Sequence, residues 1–516
     1  MKTKTFLLVG FISVAANSYA QEKKGKLVFD PTMYLTKTLT LNDKTFKVRA
    51  YEKIVYVEKP IDTAFQNMNI YIPEEYCEGK SINGYNASNA PIFFPNQIGG
   101  YMPGAPASTE ASGMRMMPPL NGQAPINGRD SIKGAPGEKL PEVSRPDGIM
   151  GRSRSNTVVE ALSRGYVVAS AGARERTQSY GKAPAAIVDL KAAVRYFKFN
   201  DKAMPGNANK IVSNGTSAGG AMSALLGATG NNPDYEPYLK ALGAAAANDN
   251  IFAVSAYCPI TNLDNSDMAY EWQFYGINFY KRGGPMGAPG QGVRNLTDEQ
   301  VGVSKDLKSA FPAYINSTRL KDKKGNLLTL DPNGNGSFKE LVKSCVISAA
   351  QKALHNGQDL TVHQWLTISK GKVEDMDWDK YIIYMERQKA PPAFDALDLS
   401  TPETQLFGSE KMDKQHFTQH SKDHSTVTAA SMADQNIIKR TNPMYYVGEG
   451  KTQLSKYWRI RHGTKDKDTG LGISVMLGTL LQNNGYDIDL ELPWDKPHSG
   501  DYDLYELFQW IDSICK

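Results

Sequence analysis

Along most of the chain, short apolar runs alternate with longer stretches of helical period. Ile92-Phe93-Phe94, Tyr166-Val167-Val168, Ile211-Val212, Phe252-Ala253-Val254, Tyr457-Trp458-Arg459-Ile460 and Ile488-Asp489-Leu490-Glu491-Leu492 are rich in β-branched or aromatic residues, with turn-forming residues close by. Such runs predict strands. Between them, Ile187, Leu190, Val194 and Phe197 recur near the helical period, as do Leu504, Leu507, Trp510 and Ile511. Val475, Leu477, Leu480 and Leu481 do so nearly. The alternation predicts a mostly parallel sheet covered by helices, hence the α/β class. Within residues 21–60 the pairs Leu39/Leu41, Phe46/Val48 and Val55/Val57 alternate with polar neighbours, which predicts an antiparallel start to the sheet.

Two stretches depart from this pattern. Residues from about 101 to 156 are rich in Gly, Pro, Met, Ser and Asn and lack a sustained period, which predicts a long excursion over the surface or the mouth of a site. Residues 265–435 hold polar helical segments, Asn/Gly turns and aromatic clusters. They are expected to form a cap over the carboxyl edge of the sheet, where ligands of open α/β folds bind. The expected division is a core in two parts, 21–264 and 436–516, interrupted by a cap of 265–435.

The 516 residues carry 59 Lys+Arg against 54 Asp+Glu, a balance that offers no basic field for nucleic acid. At the start, Lys2 and Lys4 precede an apolar stretch from Phe6 to Ala16, and small residues close it at Ser18-Tyr19-Ala20. This is the layout of a cleavable secretory signal over residues 1–20, too short to span a bilayer comfortably. The mature chain is expected to begin at Gln21 as a secreted or periplasmic protein without a membrane partner. Cys77, Cys258, Cys345 and Cys515 show no paired spacing, so they are expected to be buried thiols acting as small apolar groups.

The chemistry centres on Gly215-Thr216-Ser217-Ala218-Gly219, set between the apolar Ile211-Val212 and the helix-compatible Met222-Ser223-Ala224-Leu225-Leu226. A serine hydroxyl is a poor nucleophile unless the backbone thrusts it toward a base, and a sharp strand-to-helix turn does this only with small neighbours. Ser217 is therefore the candidate nucleophile. His498 lies in Pro497-His498-Ser499-Gly500, after a predicted strand and before the last helix, and is the candidate base. Asp466 follows the strand that begins at Tyr457 and is the candidate acid. Singly, a histidine in a Pro/Gly loop or an aspartate in a Lys-rich turn is usually solvated. Jointly, the order Ser, Asp, His after successive strands is that of the α/β-hydrolase fold. The predicted architecture is thus a doubly wound α/β-hydrolase sheet with a large inserted cap. The oxyanion of a tetrahedral intermediate would meet the N–H of Ala218 and a second donor from Asn96-Gln97-Ile98-Gly99-Gly100, with Gly99 preferred over Gly100.

Metal readings rank lower, and no cofactor is expected. His416, His420 and His424 recur every four residues beside Asp413 and Asp423, a spacing that a helix would align on one face. A polar helix face or loop is the simpler reading. Asp331-Pro332-Asn333-Gly334-Asn335-Gly336 imitates the start of a calcium loop, but Val342 stands where the bidentate glutamate belongs, so a plain Asn/Gly turn is expected.

The sequence resembles the bacterial tannases, tannin acyl hydrolases of the α/β-hydrolase fold. The resemblance rests on Pro95-Asn96-Gln97-Ile98-Gly99-Gly100-Tyr101-Met102-Pro103-Gly104, on Gly215-Thr216-Ser217-Ala218-Gly219-Gly220, on Tyr257-Cys258-Pro259-Ile260-Thr261 with Met268-Ala269-Tyr270-Glu271-Trp272, and on Arg461-His462-Gly463-Thr464-Lys465-Asp466-Lys467-Asp468-Thr469. It implies hydrolysis of galloyl esters and depsides, with Lys389 and Glu403 of the cap and Asp468 of the acid loop contacting the three phenol hydroxyls. Read from the residues alone, Lys389 and Glu403 would be solvated cap surface, and Asp468 would be a helix N-cap before Leu471. The excursion after Tyr101 departs from the family pattern. Two alternatives stand beside this reading: a hydroxycinnamoyl or other carboxylesterase of the same fold, and a noncatalytic binder of phenolics or glycans on a hydrolase scaffold.

Overall fold

A computed structural model describes residues 27–110, 156–281 and 292–516. The expected signal segment 1–20 and most of the 101–156 excursion lie outside the described residues. Thirteen strands are present among the described residues: β1 (Leu35–Leu41), β2 (Lys44–Val55), β3 (Asn67–Pro73), β4 (Pro91–Pro95), β5 (Val167–Ala171), β6 (Asn207–Thr216), β7 (Ala253–Tyr257), β8 (Phe279–Tyr280), β9 (Arg294–Asn295), β10 (Leu366–Ser369), β11 (Lys372–Met376), β12 (Tyr457–Arg461) and β13 (Asp487–Glu491). Nine of them form one sheet in the order β1-β2-β3-β5-β4-β6-β7-β12-β13. The pairs from β1 to β5 are antiparallel, and from β5 to β13 every pair is parallel.

The parallel part follows from its apolar runs. Every residue of β4, β5 and β7 is buried, as expected of strands covered on both faces. Covering helices are Ala185–Asn200, Ala218–Ala228, Leu471–Asn483 and Leu504–Cys515, the first and the last two of which carry the predicted apolar periods. The antiparallel start is β1 paired with β2. Strand β3 was not legible in the apolar pattern, because Asn67 and Asn69 interrupt it, yet all seven residues are buried. Their side-chain amides are satisfied: Asn67 Nδ2 donates to the carbonyls of Thr63 and Ala64 in the preceding turn, and Asn69 Nδ2 to that of the distant Ala107.

Strand β4 has β5 on one side and β6 on the other, so the chain reverses direction across the sheet at this point. A crevice opens at the carboxyl ends of strands flanking such a switch. The neighbouring strands end level with one another: Thr216 is paired with Tyr257, Tyr257 with Arg461, and Arg461 with Glu491. Loops that leave these ends therefore start from one rim.

Between β7 and β12 the chain builds helices and two small two-stranded sheets. The helix Leu263–Phe274 presents Trp272, which packs against Phe311, Phe338 and Trp378 with ring centroids 5.2–5.7 Å apart. Phe311 lies on the helix Asp298–Thr318, whose start is fixed by a capping box between Thr297 and Gln300. Beside this aromatic cluster, fully buried Arg387 is ion-paired with fully buried Glu271, which also accepts from Ser304.

Three local expectations are resolved here. Cys258 and Cys515 are buried, but Cys345 is half-buried and Cys77 is exposed, so the four thiols are not alike; Cys77 ends a short helix at the sheet's edge rather than pointing into a core. Only Gln419–Asp423 is helical in the histidine region, so His416 is not on one face with the other two. His416 instead spends both ring nitrogens on Asp395 and Ser425, each at 2.8 Å. Asp331 closes an Asn/Gly turn, its carboxylate accepting from the amides of Asn333 and Asn335.

Candidate active site

Ser217 sits between β6 and the helix Ala218–Ala228 with φ 62° and ψ −124°, a conformation that L residues seldom adopt. The turn is held from below by the Ser217 N–H, which donates to the Tyr257 carbonyl at 2.9 Å, and the Ala221 N–H donates to the Ser217 carbonyl at 2.9 Å. Glycine is required at 219: a Cβ there would lie 2.5 Å from Asn96 Oδ1 and 2.7 Å from the Ile98 carbonyl. Asn96 itself reaches across the elbow, donating from Nδ2 to the carbonyls of Asn214 (3.2 Å) and Gly219 (3.0 Å) and to Ser223 Oγ (3.0 Å). Its loop is thereby pinned over the nucleophile, with Gly99 and Gly100 exposed and facing open space. Gly100 gives its carbonyl to Arg176 Nε at 2.9 Å.

The loops after β12 and β13 are joined to each other. Thr464 N–H donates to the Pro493 carbonyl, Lys465 N–H to the Lys496 carbonyl, and Asp495 N–H to Thr464 Oγ1. Gly463 permits the approach, since a Cβ at that position would be 2.6 Å from the Lys496 carbonyl carbon. The result is an aligned series. His498 Nε2 lies 2.8 Å from Ser217 Oγ, and His498 Nδ1 lies 2.8 Å from Asp466 Oδ2. Asp466 is fully buried and takes a further hydrogen bond on Oδ1 from the Asp468 N–H.

Burial alone would raise the Asp466 pKa, but the charge and hydrogen bond of the His498 imidazole, the nearby His462 and the Asp468 N–H bring it down to about 2. Burial likewise pushes the His498 imidazole down, and the Asp466 carboxylate outweighs it, holding the imidazole well above 6.5. This pairing fixes the ring's orientation and stabilises its protonated form. His462 approaches the same carboxylate oxygen, its Nε2 3.5 Å from Asp466 Oδ2, while burial lowers the pKa of this second imidazole.

Beside the series lies a polar group. Lys389 Nζ is 3.2 Å from Asp468 Oδ2, Gln388 Nε2 donates to Asp468 Oδ1 at 3.1 Å, and Asp468 Oδ2 is 3.9 Å from His498 Nε2. Glu403, on the helix Pro402–Leu406, is 6% exposed; burial raises its carboxyl pKa, against the pull of Lys389 and Arg176 and with the push of Asp468. Asp468 does not cap the helix Leu471–Asn483, whose N-cap is Gly470 without a side-chain bond. Lys389 is not free surface either: it lies 4.1 Å from the centre of the Phe394 ring. Tyr270 ties the two halves together. Its hydroxyl accepts from the Gln388 and Lys389 N–H groups at 3.2 and 3.1 Å and donates to the Lys467 carbonyl at 3.0 Å. Arg387 Nε adds a bond to the Lys389 carbonyl at 2.7 Å.

All nine candidate side chains or amides thus stand on loops or helix ends at one rim. Asn96, Arg176, Tyr270, Gln388, Arg387 and His462 were not singled out by the sequence. Most of their contacts are with residues far along the chain, and the one local signal is the position of Asn96, Tyr270 and His462 inside the motif strings.

A hydroxyl backed by an imidazole and a buried carboxylate, on the carboxyl edge of a sheet wound in this way, is the arrangement of the α/β-hydrolase fold, and the solved structures that the chain resembles place it among the carboxylic ester hydrolases of that fold. The BD-FAE family model matches residues 148–276, and no curated protein matches the chain. Within the esterase class the chain belongs to the tannases, the tannin acyl hydrolases. It is 47% identical to Fusobacterium nucleatum tannase, covering 95% of this chain and 100% of that one with a TM-score of 0.84. It is 42% identical to the native Lactobacillus plantarum tannin acyl hydrolase over 95% and 99% of the two chains, with a TM-score of 0.84. A structure of tannin acyl hydrolase in complex with ethyl gallate is similar at 41% identity over 95% and 99%, with a TM-score of 0.83.

Proposed function

We propose that this tannase is exported and releases gallic acid from galloyl esters and depsides through an acyl-enzyme on Ser217. The single observation that carries the reading is the continuous line from Ser217 Oγ through His498 to Asp466, with Asp468 Oδ2 3.9 Å from His498 Nε2 and Lys389 Nζ 3.2 Å from that same carboxylate oxygen. His498 takes the proton of Ser217 as the hydroxyl oxygen attacks the ester carbonyl. Ala218 N–H, at the start of its helix, and Gly99, with Gly100 as the alternative, are the donors to the developing oxyanion. His498 then protonates the departing alcohol and activates the water that frees gallate.

Lys389, Glu403 and Asp468 read the ring hydroxyls. Carboxylates accept hydrogen bonds from phenols, and the ammonium donates to a phenolic oxygen. A site built this way rejects rings lacking those hydroxyls by up to about 10⁴-fold, because its own polar groups are left unpaired. The partner is a small phenolic ester, with no role for nucleic acid, membrane or cofactor. Among the described residues no helix is long and apolar enough to cross a membrane.

Gallate release from methyl gallate by wild type and Ser217→Ala tests the mechanism: the variant should be inactive, and equal rates would remove it. Cleavage of methyl ferulate as fast as methyl gallate would instead favour a hydroxycinnamoyl esterase. An N-terminus at Gln21 on the exported protein checks the signal segment.

A further inference from the structure

One buried group beside the triad takes no part in the mechanism above. Cys258 follows β7 directly, with φ 36°, its N–H donating to the Arg461 carbonyl at 2.6 Å. Its side chain is 1% exposed, and Sγ lies 3.5 Å from the Ser499 carbonyl, on the loop that carries His498. Sγ, a ring nitrogen of His498 and a carboxylate oxygen of Asp466 all lie within 4.8 Å of one another. A fourth donor stands behind them. His462 Nε2 is buried without a hydrogen-bond partner, 3.5 Å from Asp466 Oδ2. Thiol, imidazole and carboxylate around one point are the ligand types of a zinc-like ion.

We propose that Cys258, His498 and Asp466, with His462 beside them, form a binding site for a thiophilic divalent cation of the zinc or cadmium class, and that occupancy switches the esterase off. Tetrahedral zinc with bonds of about 2.0–2.3 Å holds its ligand atoms roughly 3.3–3.8 Å apart, so side-chain shifts of about 1 Å bring the three into place. The charges balance. The thiol gives its proton to solvent, and thiolate plus carboxylate neutralise the two charges of the ion, which removes the cost of leaving a net charge in a buried site. The neutral imidazole carries one proton. Sharing an ion with Asp466 uses Nδ1, the nitrogen that faces Asp466, so the ring proton moves to Nε2, opposite Ser217. With Nε2 protonated, His498 no longer accepts the hydroxyl proton. The side chain of His498 is 25% exposed, which gives the ion its way in.

The inhibition rests on the triad reading; the binding does not. Metal-free protein is titrated with cadmium while the cadmium–thiolate absorption in the ultraviolet is recorded, and in parallel with zinc while methyl gallate hydrolysis and fluorophosphonate labelling of Ser217 are followed. The expected result is one ion per chain whose thiolate band is present in wild type and in Ser217→Ala and is missing from the Cys258→Ala difference spectrum. Exposed Cys77 contributes equally to both and cancels. Saturating zinc should slow wild-type hydrolysis and labelling about a hundred-fold, the contribution of a general base, reversibly with chelator. Cys258→Ala, normalised to its own metal-free rate, should lose that sensitivity. An unchanged cadmium band or unchanged zinc inhibition in Cys258→Ala overturns the proposal. Should that variant not fold, wild-type labelling that is indifferent to zinc overturns it equally. An inactive wild type that still shows the Cys258-dependent band would count against the triad reading while leaving the cation site standing.

Discussion

The Arg387–Glu271 ion pair gives the most demanding test of how the cap positions the site. Both side chains are fully buried; Glu271 also accepts from Ser304, and Arg387 holds the Lys389 carbonyl through Nε. Replacing Arg387 by Met keeps most of the volume but strips a buried carboxylate of its counter-charge. Breaking such a pair costs about 3–5 kcal/mol, a fall of roughly 10²-fold to several thousand-fold in the folded-to-unfolded ratio. Glu271 has one escape, which is to hold a proton. Burial already raises its pKa against the pull of Arg387, and without Arg387 the rise is larger. A carboxyl whose folded pKa exceeds its unfolded value stabilises the fold below the unfolded value and loses that contribution as pH rises toward the folded one. The deficit of Arg387→Met should therefore be smallest in acid and grow toward neutral pH. Urea denaturation followed by tryptophan fluorescence measures this, with Trp272 beside the pair as a local reporter. The same variant should raise KM for methyl gallate, because the backbone carrying Lys389 loses an anchor. Adding Glu271→Leu removes the stranded carboxylate and should restore most of the stability. A single-variant loss below about 1 kcal/mol, the worth of a surface pair, or a double variant no better than the single one, would refute the reasoning.

Three further outcomes are expected. The kcat/KM of wild type should climb with pH as His498 loses its proton, with a midpoint above 6.5; Asp466→Asn should move that midpoint down and lower the plateau by about 10⁴-fold, read from pH–rate profiles. Gly463→Ala should leave far-ultraviolet circular dichroism unchanged yet reduce kcat about a hundred-fold, because parting the two loops by about 1 Å misplaces His498. Lys389→Met should weaken methyl gallate by about ten- to a hundred-fold in kcat/KM, the worth of a charged hydrogen bond, with methyl benzoate little affected.

How much of this could be read from the chain depended on how local the cause was. The buried strands announced themselves because β4, β5 and β7 need apolar residues on both faces, and the elbow because Gly219 has no room for a Cβ. Ser217, Asp466 and His498 could be found because each follows the end of a strand. Strand β3 stayed hidden because its asparagines break the apolar run, one satisfied by the turn just before the strand and the other by a tertiary contact with Ala107. The pinning by Asn96, the Tyr270 anchor and the Arg387–Glu271 pair depend on residues more than a hundred positions away, and no periodicity encodes such pairings. Lys389 and Glu403 look like solvated cap residues in isolation; the family resemblance pointed to them, and the structure shows why they are held, one against Phe394 and Asp468, the other buried.

The hydroxyl of Tyr270 has a consequence for re-engineering. A chimera that exchanges residues 265–435 between tannases carries Tyr270, Gln388 and Lys389 along but leaves Lys467 with the recipient. Ring preference in this architecture is therefore no detachable cassette: a transplanted segment works only where the host's acid loop offers a carbonyl at the spot this phenol reaches.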